Sequence, residues 1–136
     1  ALPADSPLAR RERFAISDLA GERLLLLEDG HCLRDQALEV CHLAGANERA
    51  GFRASSLETL RHMVAAGVGI TLLPVLATQP PVASAPGLRL RRFEAPMPHR
   101  RIALLWRESS PLGDLLHELA AAFRDLPADL LSPQGS

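Results

Sequence analysis

The stretch from Arg23 to Gly45, RLLLLEDGHCLRDQALEVCHLAG, decides how the chain folds. Arg23-Leu24-Leu25-Leu26-Leu27 is a continuous apolar run bounded by charge. That is the pattern of a strand buried on both faces, and such strands belong to parallel sheets. Glu28-Asp29-Gly30 is a turn signature. Leu33, Gln36, Ala37, Val40, Cys41 and Ala44 then recur at helical spacing until Gly45, which ends the helix because glycine accepts the left-handed conformation. Cys32 therefore opens this helix, Cys41 lies in its last turn, and the chain has no other cysteine.

Upstream, Leu2 to Arg13 is polar and broken by proline, and Ser17-Asp18-Leu19-Ala20-Gly21 caps and closes one helical turn. Downstream, Arg49 to Arg53 reads as a short strand around Phe52. Ser55-Ser56-Leu57-Glu58 reads as a capping box, in which Ser55 and Glu58 satisfy the first amides of a helix running to about Ala66. Leu57, Leu60, Met63 and Val64 form its apolar face, and Gly67 ends it. Ile70-Thr71-Leu72-Leu73 is a third strand, cut by Pro74. Strand, helix, strand, helix, strand makes βαβ units, hence an α/β fold with a parallel or mixed sheet flanked by helices.

The proline-rich segment Gln79 to Gly87 is a loop. Leu88 to Phe93 alternates as a strand with one exposed face, and Arg101 to Trp106 reads as a more buried strand. Ser110-Pro111 opens a last helix as N-cap and first residue. Leu112, Leu115, Leu116, Leu119, Ala122 and Phe123 share one face of that helix, which ends near Asp125.

At 136 residues the chain is one domain by size and can bury roughly two-thirds of its unfolded surface. The formal net charge of -1 gives no electrostatic footprint for nucleic acid or an anionic membrane, so any DNA contact belongs to another domain. No apolar run approaches the ~20 residues that span a bilayer, and no signal-peptide core is present. A cytoplasmic protein with no membrane partner is expected. In that reducing compartment two cysteines are either buried apolar fillers or transient redox groups.

Gly67-Val68-Gly69 follows a helix and precedes a strand, the reverse of a phosphate-binding loop. G-x-S-x-G, a Walker lysine and H-E-x-x-H do not occur, so hydrolase, nucleotidase and zincin readings have no anchor. His31-Cys32 and Cys41-His42 make a symmetrical set of metal ligands. The two pairs are nine residues apart, which separates them by ~13.5 Å along a helix, whereas zinc ligands lie ~2.0–2.3 Å from the ion. No metal and no other cofactor is expected.

The same spacing sharpens the redox reading. Cα atoms ~14 Å apart on an intact helix cannot carry a disulfide, which needs ~4.4–6.8 Å. Joining the two sulfurs requires the helix to unwind, which makes oxidation a switch instead of a staple. Cys32 has the partial positive charge of a helix N-terminus, with His31 and Arg34 near it, and these favour the thiolate; Glu28, Asp29 and Asp35 oppose them. Cys41 gets no help from the dipole and suits the later partner. The order of events is Cys32 thiolate, sulfenic acid, then a Cys32–Cys41 disulfide.

At these residues the chain resembles the LysR-type transcriptional regulators that sense hydrogen peroxide. The likeness rests on Gly30-His31-Cys32-Leu33-Arg34-Asp35-Gln36-Ala37 with Cys41, on Phe52-Arg53-Ala54, Ser56-Leu57-Glu58-Thr59-Leu60-Arg61 and Met63-Val64-Ala65-Ala66-Gly67, and on Gly69-Ile70-Thr71-Leu72-Leu73-Pro74. It is strong from Leu2 to about Leu76 and moderate from Arg100 to about Ala122.

The resemblance implies a periplasmic-binding-protein-like effector domain of two α/β subdomains. Residues 1–99 are then mainly subdomain II with the redox switch, 100–126 the return strand and helix of an incomplete subdomain I, and 127–136 a tail, with the DNA-binding domain absent. It also implies that Cys32 reacts with hydrogen peroxide and Cys41 resolves it, that Gly30 and His31 line the peroxide pocket, and that Arg100 stabilises the leaving hydroxide. The implied partners are a second copy, in a homodimer or tetramer, and thiol reductants such as glutaredoxin. DNA and RNA polymerase are engaged only by the full-length protein. The alternatives are a small-ligand effector domain of the same fold with passive cysteines, or a thiol peroxidase. Nothing in the sequence suggests the built-in reductant of an enzyme, so a regulator is expected.

Overall fold

The computed structural model describes residues 1–80 and 85–127. They fall into two units, Ala1–His99 and the segment from Arg100 onward. In the first unit the order is β1 (Leu2–Pro3), 3-10 turns at Pro7–Arg10 and Ile16–Leu19, then β2 (Arg23–Leu27), α1 (Cys32–Ala44), β3 (Asn47–Ala54) and α2 (Leu57–Ala65), a 3-10 turn at Val75–Thr78, and β4 (Leu88–Arg89).

β2 is the centre of this unit because both its faces are covered. Successive side chains of a strand point to opposite faces. Leu24 and Leu26 pack with Ala37, Cys41 and Ala44 of α1, while Leu25 and Leu27 pack with Leu60 and Val64 of α2. All four leucines are buried, and each contributes ~1.5–3 kcal/mol of apolar burial. β2 pairs in parallel with β3, Arg23 opposite Asn47 and Leu27 opposite Ala54, with an irregularity between Leu24 and Leu26. α1 is thus the crossover of a βαβ unit. β1 and β4 form a separate antiparallel pair.

Helix ends follow local chemistry. Gly45 takes φ 67° and its N–H donates to the carbonyls of Cys41 and His42. The cap of α2 is Ser56 and not Ser55: the Ser56 Oγ accepts from the Thr59 N–H at 3.1 Å, from an extended backbone of φ -150°, ψ 160°. With Ser56 as cap, Glu58 is one residue short of the position that reaches back to a capping residue. It pairs instead with Arg61 and His62.

Four further expectations are corrected. The strand Ile70 to Leu73 reduces to a single parallel bridge between Leu24 and Ile70. The Thr71 hydroxyl donates to the Leu25 carbonyl at 2.7 Å, a side-chain bond at the point where the ladder stops. Among the described residues the alternating run Leu88 to Phe93 pairs only at Leu88–Arg89 and at a bridge between Phe14 and Phe93. In the second unit the segment Arg101 to Trp106 forms no strand, and Ile102 and Leu105 are 71% and 92% exposed. An apolar run becomes a strand only beside a hydrogen-bonding neighbour, and none of the described residues supplies one. The last helix, α3 (Gly113–Arg124), begins after the expected start; Ser110 instead closes a turn, its Oγ accepting from the Leu112 N–H at 3.3 Å. Among the described residues no helix is long and apolar enough to cross a membrane.

Candidate functional site

Both cysteines are free thiols, and their surroundings differ. Cys32 is the first residue of α1 and is exposed. The turn before it, Glu28 to His31, is exposed throughout. Gly30 holds φ 90°, a left-handed value that a side chain resists. His31 is the N-cap, and its side chain makes no capping hydrogen bond. Gly30, His31 and Cys32 are therefore held side by side on one tight, exposed turn.

Cys41 lies on the opposite flank of α1, 1% exposed, in the cluster with Leu24, Leu26, Ala37 and Ala44. Burial pushes its thiol above the ordinary value, and the neighbouring Glu48 carboxylate adds to the rise. The thiol stays protonated and out of reach of an oxidant while the helix is intact. A separation of nine residues on one helix places the two Cα atoms ~14 Å apart, twice the reach of a disulfide.

Between the cysteines, Arg34 points inward, which the sequence reading did not anticipate. Its side chain is 8% exposed. The guanidinium donates from Nη1 to the Leu27 carbonyl at 3.0 Å and grips Glu48 with Nη1 and Nη2, each at 2.9 Å. Nε lies 2.9 Å from Asp29. Arg53 completes the cluster, 2.6 Å from Asp29 and 3.4 Å from Glu48. Hydrogen bonds and charge from Arg34, then charge from Arg53, hold the Glu48 carboxyl below the usual carboxylate range, and Glu48 in turn raises Arg34. Arg34 is thus committed to carboxylates. A signal was present in the sequence: Arg34 shares the stripe of Ala37 and Cys41 at i+3 and i+7, and an arginine on a buried stripe needs acidic partners.

Arg100 is exposed and belongs to the second unit. Among the described residues no group of three or more His, Cys, Asp or Glu is arranged to hold a metal ion.

The family model for the LysR substrate binding domain matches residues 1–128. The chain belongs to the LysR family. Its fold is accordingly the periplasmic-binding-protein-like fold of LysR effector domains, as the resemblance implied. The DNA-binding transcriptional dual regulator OxyR of Escherichia coli K12 is 54% identical over 124 residues, 91% of this chain and 40% of that protein. The crystal structure of the oxidised form of OxyR is 54% identical, with a TM-score of 0.73, and covers 90% of this chain and 57% of that one. The reduced form is 50% identical, with a TM-score of 0.75 over 90% of this chain and 56% of that one. The chain spans about 40% of the length of the curated relatives it matches.

Proposed function

We propose that this chain is the redox-sensing part of the regulatory domain of a LysR-type activator, with residues 1–99 as the switch-bearing subdomain II, residues 100–126 as the return segment and helix of subdomain I and residues 127–136 as a tail. The observation that carries the reading is the pairing of an exposed thiol at the start of α1 with a buried thiol nine residues later. Hydrogen peroxide oxidises Cys32. The thiolate attacks one peroxide oxygen, the O–O bond breaks, and hydroxide leaves to give the Cys32 sulfenic acid. Cys41 then attacks that sulfur, water leaves, and the Cys32–Cys41 disulfide remodels α1. Gly30 and His31 border the peroxide.

Relatives that match over nine-tenths of this chain carry the name hydrogen peroxide-inducible genes activator, which supports hydrogen peroxide as the signal. The chain acts as a regulator and not as an enzyme: each oxidation is held until a thiol reductant such as glutaredoxin resets it. In the full-length cytoplasmic protein the remodelled domain works within a homodimer or tetramer, and changes DNA binding and the engagement of RNA polymerase. Peroxide titration with mass spectrometry is the test. Loss of two mass units linking Cys32 to Cys41 at stoichiometric peroxide is expected. Inert cysteines indicate a small-ligand effector domain, and sustained peroxide turnover under excess reductant indicates a thiol peroxidase; either result overturns the reading.

A further inference from the structure

We infer that Arg34 is a positioning residue for the thiol switch, a latch that holds the Cys32 end of α1 in place and must let go before the two sulfurs join. The inference rests on the proposed function above, since a latch has meaning only if Cys32 and Cys41 form a bond.

The two ends of α1 are held differently. At the Cys41 end the backbone is tied twice: the Ala46 N–H closes the helix on the Cys41 carbonyl at 2.9 Å, and the Asn47 N–H joins the start of β3 to the Glu22 carbonyl at 3.1 Å. Ala44 and Ala46 are buried beside it. At the Cys32 end the turn is exposed and the N-cap side chain is unbonded. Beside the Glu28 N–H that donates to the Ala54 carbonyl at 3.0 Å as the chain leaves β2 and the partly buried Leu33, what ties this end down is Arg34, through Leu27 at the end of β2, Asp29 in the turn and Glu48 in β3. The end that is free to swing is therefore the Cys32 end.

Its path to Cys41 passes through Arg34. With the helix kept from Arg34 onward, ~10.5 Å of axis remains before Cys41. The two residues back to Cys32 extend at most ~7 Å, and they must run outside the side-chain envelope of the helix. Length alone would bring Cys32 within the ~6.8 Å limit of a disulfide, but Arg34, Ala37 and Cys41 share one buried stripe, with Ala37 and Cys41 packed on Leu24 and Leu26, so the direct course along that face is filled. The helix therefore has to open past Arg34, which takes its guanidinium out of the cluster with Leu27, Asp29 and Glu48. All these contacts belong to the dithiol form and none is required by the disulfide form. By linkage, an interaction present only in the dithiol form raises the reduction potential of the couple.

The test equilibrates wild type, R34Q and R34K chains in graded dithiothreitol buffers, traps free thiols and counts them by mass. The exchange is balanced: Cys32 and Cys41 give two electrons and two protons to oxidised dithiothreitol, which becomes the dithiol as the protein disulfide forms. R34Q is expected to favour the disulfide about tenfold, a midpoint ~30 mV more negative. R34K, which keeps the charge but loses the two-pronged grip, is expected to shift less in the same direction, and it serves if R34Q does not fold. Thermal unfolding gives the readout a merely structural role would not produce: the dithiol form of the variant melts lower than that of wild type, while the two disulfide forms melt together. An unchanged midpoint, with melting lowered equally in both redox forms, overturns the latch and leaves the thiol switch standing. A wild-type chain that never forms the disulfide overturns both.

Discussion

Oxidation should be visible as a local loss of helix. In α1 the amides of Gln36 to Cys41 donate, four residues back, to the carbonyls of Cys32 to Ala37, so both ends of each bond lie between the two cysteines. A disulfide that draws Cα atoms from ~14 Å to at most ~6.8 Å must shorten the segment by ~7 Å, which the i to i-4 ladder between the cysteines cannot survive. The amides from Gln36 to Cys41 are then freed, about six in all. Hydrogen–deuterium exchange on a peptide covering Leu33 to Ala44 is expected to show about six additional deuterons at short labelling times after peroxide treatment. A peptide covering α2, capped independently by Ser56, serves as the internal control and should not change. If mass spectrometry proves a complete Cys32–Cys41 bond and α1 keeps its protection, the geometry argued for the switch is wrong.

The remaining expectations concern stability and reactivity. Ser56→Ala removes the cap of α2 and should cost about 1 kcal/mol, a fall of roughly 4 °C in Tm for a chain of this size, read by thermal unfolding; an unchanged Tm would mean that the cap carries no net stability. The Glu48 carboxyl is held low by Arg34 and Arg53, so its contribution is fully present above the ordinary carboxylate pKa and is lost as pH falls through its lowered folded value. Glu48→Gln should therefore flatten the acid limb of a stability–pH curve, and an acid limb identical to wild type would remove Glu48 as its source. The Cys41 thiol is raised by burial and by Glu48, so its contribution is present below the ordinary thiol pKa and fades as pH rises through the higher folded value. With iodoacetamide near pH 8, Cys32 should be alkylated first and Cys41 only after denaturant is added; equal rates would contradict the buried position of Cys41.

The parts of this fold legible in the sequence are those whose pattern is local. The run Arg23–Leu27 announced a strand covered on both sides, and it lies between α1 and α2. The helical spacing from Leu33 to Ala44, closed by Gly45, gave α1 to within a residue at each end. What depended on distant partners was not legible. Arg101 to Trp106 has the composition of a buried strand, but no described neighbour bonds to it. Among the described residues Ile70 to Leu73 keeps a single bridge at Ile70, and the Thr71 side chain, not a further backbone amide, is what bonds the Leu25 carbonyl. For the candidate site, spacing alone yielded the geometry of Cys32 and Cys41. The role of Arg34 stayed hidden because its carboxylates come from a turn and from another strand, brought to it only by folding. Its phase on the buried stripe was the one clue.

The register of β2 on β3 bears on how much of the domain a remodelled α1 disturbs. With Leu27 beside Ala54 and Arg23 beside Asn47, the connection leaving Leu27 has to travel back only ~13 Å along the sheet. Once the sulfurs are joined, the shortest covalent path runs from Leu27 to Cys32, across the disulfide, and from Cys41 to Asn47. Its contour length is ~40 Å, nearly three times the distance to be covered. The cross-link therefore short-circuits the crossover without pulling either strand out of line. The sheet acts as a chassis on which the helix is remade, and on reduction the same register is waiting to guide it back.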